Sequence, residues 1–149
     1  MNWKTKFSAI LSVYLILIND QEEVLLLRRK NTGYKDGELG LPAGHVDGGE
    51  DLFAAMKREA MEEVGVEVEA EDLELKHVLH RNCGDHERVD FFFTCRIWKG
   101  ESTNIEPEKC SELKWVPFDD LPEDFIDYYQ HCFNKIRDGD VVSGYGWNN

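Results

Sequence analysis

Residues 44–66 read GHVDGGEDLFAAMKREAMEEVGV, and this stretch decides the fold. From Glu50 to Val64 the apolar residues Leu52, Phe53, Met56, Ala60 and Val64 recur at helical spacing, which predicts a helix with one apolar stripe. Gly65 ends it, because glycine enters the left-handed conformation without a Cβ penalty. Glu59, Glu62 and Glu63 stand at i, i+3 and i+4 and so project from one face. Each like-charge pair at that spacing costs about 0.2–0.5 kcal/mol, and exposed acids in the last turns oppose the helix dipole by roughly 0.3–1 kcal/mol each. A helix selected for stability alone would carry Lys or Arg there. A solvated acidic face is the plain alternative. Against it, the carboxylates adjoin the apolar stripe, follow a glycine-rich loop, and would be relieved by Mg²⁺ or Mn²⁺, hard cations that take oxygen ligands.

Outward from this helix, residues 31–49 carry six glycines and Pro42, an irregular segment of the kind that shapes a site. Residues 7–18 read as a buried strand, and 24–27, ending in Arg28 and Arg29, as its antiparallel partner across a polar turn. Strands are expected at about 73–80, 89–98 and 112–116. A closing helix is expected at about 123–137, with Phe125, Ile126, Tyr129, Phe133 and Ile136 on one face. This order predicts one α/β or α+β layered domain over 1–149, with its core at about 6–137 and an aromatic-bearing tail at 138–149.

The 149 residues include 30 acids and 17 Lys or Arg, for a net charge of −13. That balance argues against a protein that coats a nucleic acid polymer or a membrane, since such binding neutralises phosphates with clustered cations. It leaves room for one small anionic ligand carried in with a divalent cation. Lys4 and Lys6 before the apolar run at 7–18 imitate a signal peptide, but no small-residue cleavage site follows, and the run is short of the roughly 20 residues that span a bilayer. Cys83, Cys95, Cys110 and Cys132 show neither C-x-x-C nor zinc-finger spacing, so they read as reduced thiols and favour the cytoplasm.

Residues 44–66 resemble the Nudix box, G-x5-E-x7-R-E-U-x-E-E-x-G-U with U bulky and aliphatic. Every fixed residue matches, and Ala60 at the first U is the one departure. The resemblance implies the Nudix α/β/α sandwich, with a mixed sheet between helices, and the hydrolysis of a nucleoside diphosphate linked to another group X. It implies that Glu59, Glu62 and Glu63, with the carbonyl of Ala43, hold Mg²⁺ or Mn²⁺, and that Glu59 or Glu62 is the general base. Arg58 would be held near the carboxylates and would brace the loop–helix–loop with Glu50, while Gly44 and Gly65 permit its turns. Substrates in the MutT-like range include nucleoside triphosphates and oxidised nucleotides; ADP-ribose, nucleotide sugars and dinucleoside polyphosphates are alternatives. A Nudix-fold regulatory domain that binds nucleotide without cleaving it is a reading of another class, disfavoured by three intact glutamates. A homodimer is compatible with the resemblance, although no interface pattern stands out.

Weaker signals remain. Arg28 and Arg29 alternate along a strand, so one of them faces the cleft as a candidate phosphate contact. Asp90, an acid in an apolar strand, needs a partner, with Arg88 and Arg96 nearest in sequence, or else reaches the site. Glu106 and Glu108 lie where some Nudix hydrolases place a further glutamate, and His45 follows the motif glycine. The segment Asp138-Gly139-Asp140 lacks the remaining ligands of a calcium-binding loop.

Overall fold

A computed structural model describes residues 2–148. Strand β1 (Ile10–Leu17) organises it, because its apolar residues occupy both faces. Val13, Leu15 and Leu17 enter one core with Ala55, Met56, Ala60 and Val64 of helix α1 (Leu52–Val64). Tyr14 and Ile16 enter a second core with Tyr128, Tyr129, Cys132 and Phe133 of helix α2 (Asp127–Asp138). A strand with no polar face requires a layer on each side, and the result is an α/β/α sandwich.

The larger sheet is mixed. Strands β4 (Ala43–His45), β1, β6 (Glu87–Cys95), β5 (Leu73–Asn82) and β8 (Val142–Tyr145) lie side by side in that order, with β1–β6 and β5–β8 parallel. A smaller antiparallel sheet holds β3 (Leu39–Gly40), β2 (Glu23–Arg29) and β7 (Cys110–Pro117).

The helix expected from Glu50 to Val64 is present, beginning at Leu52. The Asp51 side chain accepts a hydrogen bond from Ala54 N at 2.9 Å, and Gly65 closes the helix at φ +69°. Its buried stripe is Ala55, Met56, Ala60 and Val64, whereas Phe53 is 41% exposed and lies at the rim against Phe93.

The non-local expectations need correction. β1 and β2 are not an antiparallel pair: they belong to different sheets and share only the bridge Ile18↔Val24. Helix α2 starts at Asp127, later than expected, because the preceding residues are spent on β3. Leu39 N donates to Asp124 O at 2.9 Å and Ile126 N to Leu39 O at 3.0 Å. The segment 138–149 is more than a tail, since β8 adds to β5 and Trp147 Nε1 donates to His80 O at 2.9 Å. Fully buried His77 pins it through Ser143 Oγ at 2.7 Å. All four cysteines are free. No helix among the described residues is long and apolar enough to cross a membrane.

Candidate active site

The loop before α1 and the helix face that follows it line a cleft of about 1060 Å³. Ala43, Gly44, His45, Glu59, Glu62, Glu63 and Glu106 form one end of it. β4 pairs with β1, which fixes Gly44 opposite Val13 and brings the loop over the helix. A Cβ at Gly44 would overlap the Glu59 carboxylate, so the glycine is needed here for space.

Arg58 ties the acidic end together. Its Nε and Nη2 bind Glu50 at 3.1 and 2.7 Å, and its Nη1 binds Glu59 at 2.7 Å and Glu62 at 3.3 Å. Nη2 also donates to the His45 carbonyl at 3.1 Å, which fastens helix to loop. The guanidinium holds the Glu50 carboxyl below its usual range, and Asp47 N donates to the same carboxylate at 2.8 Å.

Glu63 turns the other way and accepts from Ala43 N at 2.8 Å. Burial raises its carboxyl to a pKa of about 8 against the Ala43 bond, and the charges of Glu59 and Glu106 push in the same direction. Burial also raises Glu59, with Arg58 opposing. Recessed carboxylates with raised proton affinity are a hard-oxygen donor set, which suits a divalent cation, and the missing Cβ at Gly44 lets the Glu59 carboxylate lie against the loop. Among the described residues no three acidic, His or Cys side chains converge on a common ligating point, because Glu59 and Glu62 turn to Arg58 and Glu63 to the backbone.

The other sequence candidates divide cleanly. Arg29 lines the cleft and bonds only neutral groups, Tyr34 O at 2.7 Å and Thr32 Oγ1 at 3.0 Å. Arg28 points away from the cleft and is spent on Glu112, Asp124 and Gly37 O. Glu106 lines the cleft, while Glu108 lies outside it on an exposed turn. Asp90 is fully buried beneath the cleft, and its partners are Arg81 Nε and the Tyr14 hydroxyl, each at 2.9 Å. Neither Arg88 nor Arg96 bonds Asp90, and Arg96 goes to Glu22. Away from the glutamates the cleft is lined by residues the sequence did not single out for it, Arg81, Tyr128 and Tyr145, and Ser12 and Tyr14 lie between these and their β4 partners His45 and Ala43. Only their alternation with core residues hinted at it, and that alternation does not say which strands are neighbours.

The arrangement defines a class: an α/β/α sandwich whose glycine loop and glutamate-bearing helix close one end of a large cleft. Residues 9–133 match the NUDIX domain, and the chain belongs to that family. It is 30% identical over 108 residues to the NAD-capped RNA hydrolase NudC of Salmonella typhi, covering 72% of this chain and 39% of that protein. The chain thus spans about two fifths of the length of the curated relatives it matches. The crystal structure of a MutT NUDIX hydrolase from Burkholderia pseudomallei superposes with a TM-score of 0.76 at 26% identity, covering 85% of this chain and 97% of the other. The NUDIX domain of Shewanella oneidensis NrtR, complexed with ADP ribose, shares the fold at a TM-score of 0.68 and 24% identity, covering 93% and 92%. Members of this family generally use divalent metal ions.

Proposed function

We propose that this chain is a divalent-metal-dependent pyrophosphohydrolase that cleaves a nucleoside diphosphate linked to another group, releasing a nucleoside monophosphate and phosphorylated X. The observation that carries this reading is the close fit of the Glu59 carboxylate against Gly44, beside Glu62 and Glu63, in a cleft that also presents Arg29. Family membership and the hydrolase activities for which NudC and the MutT protein are named support it.

Glu59, Glu62 and Glu63, with the Ala43 carbonyl, would hold Mg²⁺ or Mn²⁺. When bound, such a cation neutralises the diphosphate oxygens and lowers the pKa of water. The chain's own groups do the rest. Arg29, free of carboxylate partners, binds a phosphate oxygen of the substrate; Glu59 or Glu62, once released from Arg58, accepts the proton of the attacking water. Arg58 keeps the loop and helix in register throughout. Glu106 adds a carboxylate from the facing loop. The domain acts as one unit because both cores share β1. Free thiols support a reducing compartment such as the cytoplasm.

The test is a hydrolysis screen over nucleoside triphosphates, oxidised nucleotides, ADP-ribose, nucleotide sugars and NAD-capped RNA, with Mg²⁺, Mn²⁺ or EDTA. Turnover that requires metal and falls about a hundredfold or more in Glu62→Gln is the expected result. Undiminished turnover in Glu62→Gln rejects the site. Nucleotide binding without turnover of any substrate supports the regulatory reading instead.

A second expectation concerns packing. Gly44→Ala displaces the Glu59 carboxylate and lowers kcat/KM by about tenfold or more while the protein stays folded, as measured by steady-state kinetics beside circular dichroism.

A further inference from the structure

The end of the cleft away from the glutamates holds a charge arrangement that the hydrolytic reading does not use. Arg81 on β5 and Arg88 on β6 are direct cross-strand partners in register, and both line the cleft. Like charges directly opposite one another in a sheet are destabilising. One carboxylate, that of Asp90, serves the pair. It is taken by Arg81 Nε and Tyr14, and the Arg81 guanidinium lies 3.9 Å over the Tyr128 ring.

Arg88 makes no ion pair among the described residues, in a chain with 30 acids. Its Nε donates to His86 Nε2 at 2.9 Å, and its Nη1 meets His45 Nε2 at 2.7 Å. A guanidinium has no acceptor, so each of these two imidazole nitrogens faces Arg88 as the acceptor. Arg88 therefore reaches a carboxylate only through His86, whose Nδ1 lies 2.6 Å from Asp85, and it faces Arg81 with no ion pair of its own.

A separate observation points to the same place. Ser12 is 2% exposed, and its Oγ has no hydrogen-bond partner although it lines this cleft. Register places Ser12 on β1 between His45 of β4 and Asp90 of β6, on the strand-face row next to Arg88. A buried orphan hydroxyl is destabilising unless a ligand completes it.

We propose that Arg81, Arg88 and Ser12 form a receptor for a terminal phosphate of the substrate that lies outside the bond being cleaved. The proposal rests on the hydrolytic reading only for the word substrate. Guanidinium forks match phosphate oxygens, and the Ser12 hydroxyl supplies a further donor. His45 sets the spacing between the two ends. Its carbonyl binds Arg58 beside the glutamates and its ring binds Arg88, so one ligand can reach both. The chain would thus favour nucleotides that end in an additional phosphate over nucleotide sugars, whose far end is neutral.

Metal-free protein titrated with inorganic phosphate, followed by heteronuclear NMR, tests the receptor without turnover. Shifts at Ser12, Arg81 and Arg88 are expected, with affinity at least about tenfold weaker in Arg88→Gln. Ser12→Ala should also weaken phosphate binding and yet raise the unfolding midpoint, which guards against misreading a folding defect. Absence of shifts at these residues, or equal affinity in Arg88→Gln, overturns the proposal. In the kinetic arm, Arg88→Gln should lower kcat/KM for a nucleoside triphosphate more than for a nucleotide sugar, and equal loss for both likewise overturns it. Phosphate binding that depends on Arg88, with no hydrolysis of any substrate, rejects the hydrolytic reading while leaving the receptor in place.

Discussion

Glu63→Gln is expected to stabilise the metal-free protein at pH 8 while lowering its hydrolytic rate by about a hundredfold or more. Both effects come from one carboxylate. In the fold, burial lifts the Glu63 carboxyl from its ordinary 4.5 to about 8. Between those values the unfolded chain has already lost the proton that the folded chain keeps, so the folded state binds more protons and stability falls as pH rises through this window. Below about pH 4.5 the penalty is absent; above about pH 8 it is complete. Since one pKa unit corresponds to about 1.4 kcal/mol, the penalty is on the order of a few kcal/mol. Glutamine removes it and retains an oxygen for the Ala43 amide. Thermal unfolding in EDTA at pH 5 and pH 8 should show the variant's advantage only at the higher pH. The same linkage requires cation binding to release a proton below pH 8, so Mg²⁺ affinity in the wild type should rise with pH and flatten above that value. An advantage for Glu63→Gln that does not change with pH would remove the assigned cause.

Arg58→Ala is expected to cost activity without touching substrate, by about a hundredfold, the scale on which small misplacements of reacting groups act. Arg58 links Glu50, Glu59 and Glu62 and fastens α1 to the His45 carbonyl. Without it, Glu59 sits recessed and unpaired beside Glu63, and the loop loses its tie to the helix. The unfolding midpoint should fall, because Arg58 no longer joins these carboxylates to the loop. Arg58→Lys should recover little, because an ammonium cannot fork across Glu50 while also reaching Glu59 and the carbonyl. Full activity in the lysine variant would show that charge alone matters here. Kinetics and calorimetry on the same two preparations decide it.

The elements most legible in the sequence are those whose causes are local. Helix α1 declares itself through the stripe at Met56, Ala60 and Val64, and its C-terminus through Gly65, whereas its N-cap, Asp51, emerges only in the structure. The glutamate trio is legible for the same reason, since i, i+3 and i+4 are neighbours on any helix. Sheet partnership is different. The run at 7–18 is apolar enough to take any neighbour, and adjacency in sequence suggested 24–27; the observed neighbours are β4 and β6, because a strand buried on both faces takes an interior place in the sheet. Asp90 illustrates the same limit. Its nearest cations in sequence are Arg88 and Arg96, but the β5–β6 register delivers Arg81 instead.

What the sequence by itself determined is the family, the helix that carries the acids, and the class of cation those acids suit, all of which follow from spacing within 23 consecutive residues. What only the tertiary structure decided is everything that depends on register between distant strands. Which of the two adjacent arginines enters the cleft, the burial that lifts Glu63, the pairing of Arg81 with Asp90, and the facing of Arg81 and Arg88 over the orphan hydroxyl of Ser12 all belong to it. The physical reason is that helix neighbours are set by a fixed pitch, whereas strand neighbours are chosen by competition among whole faces for burial.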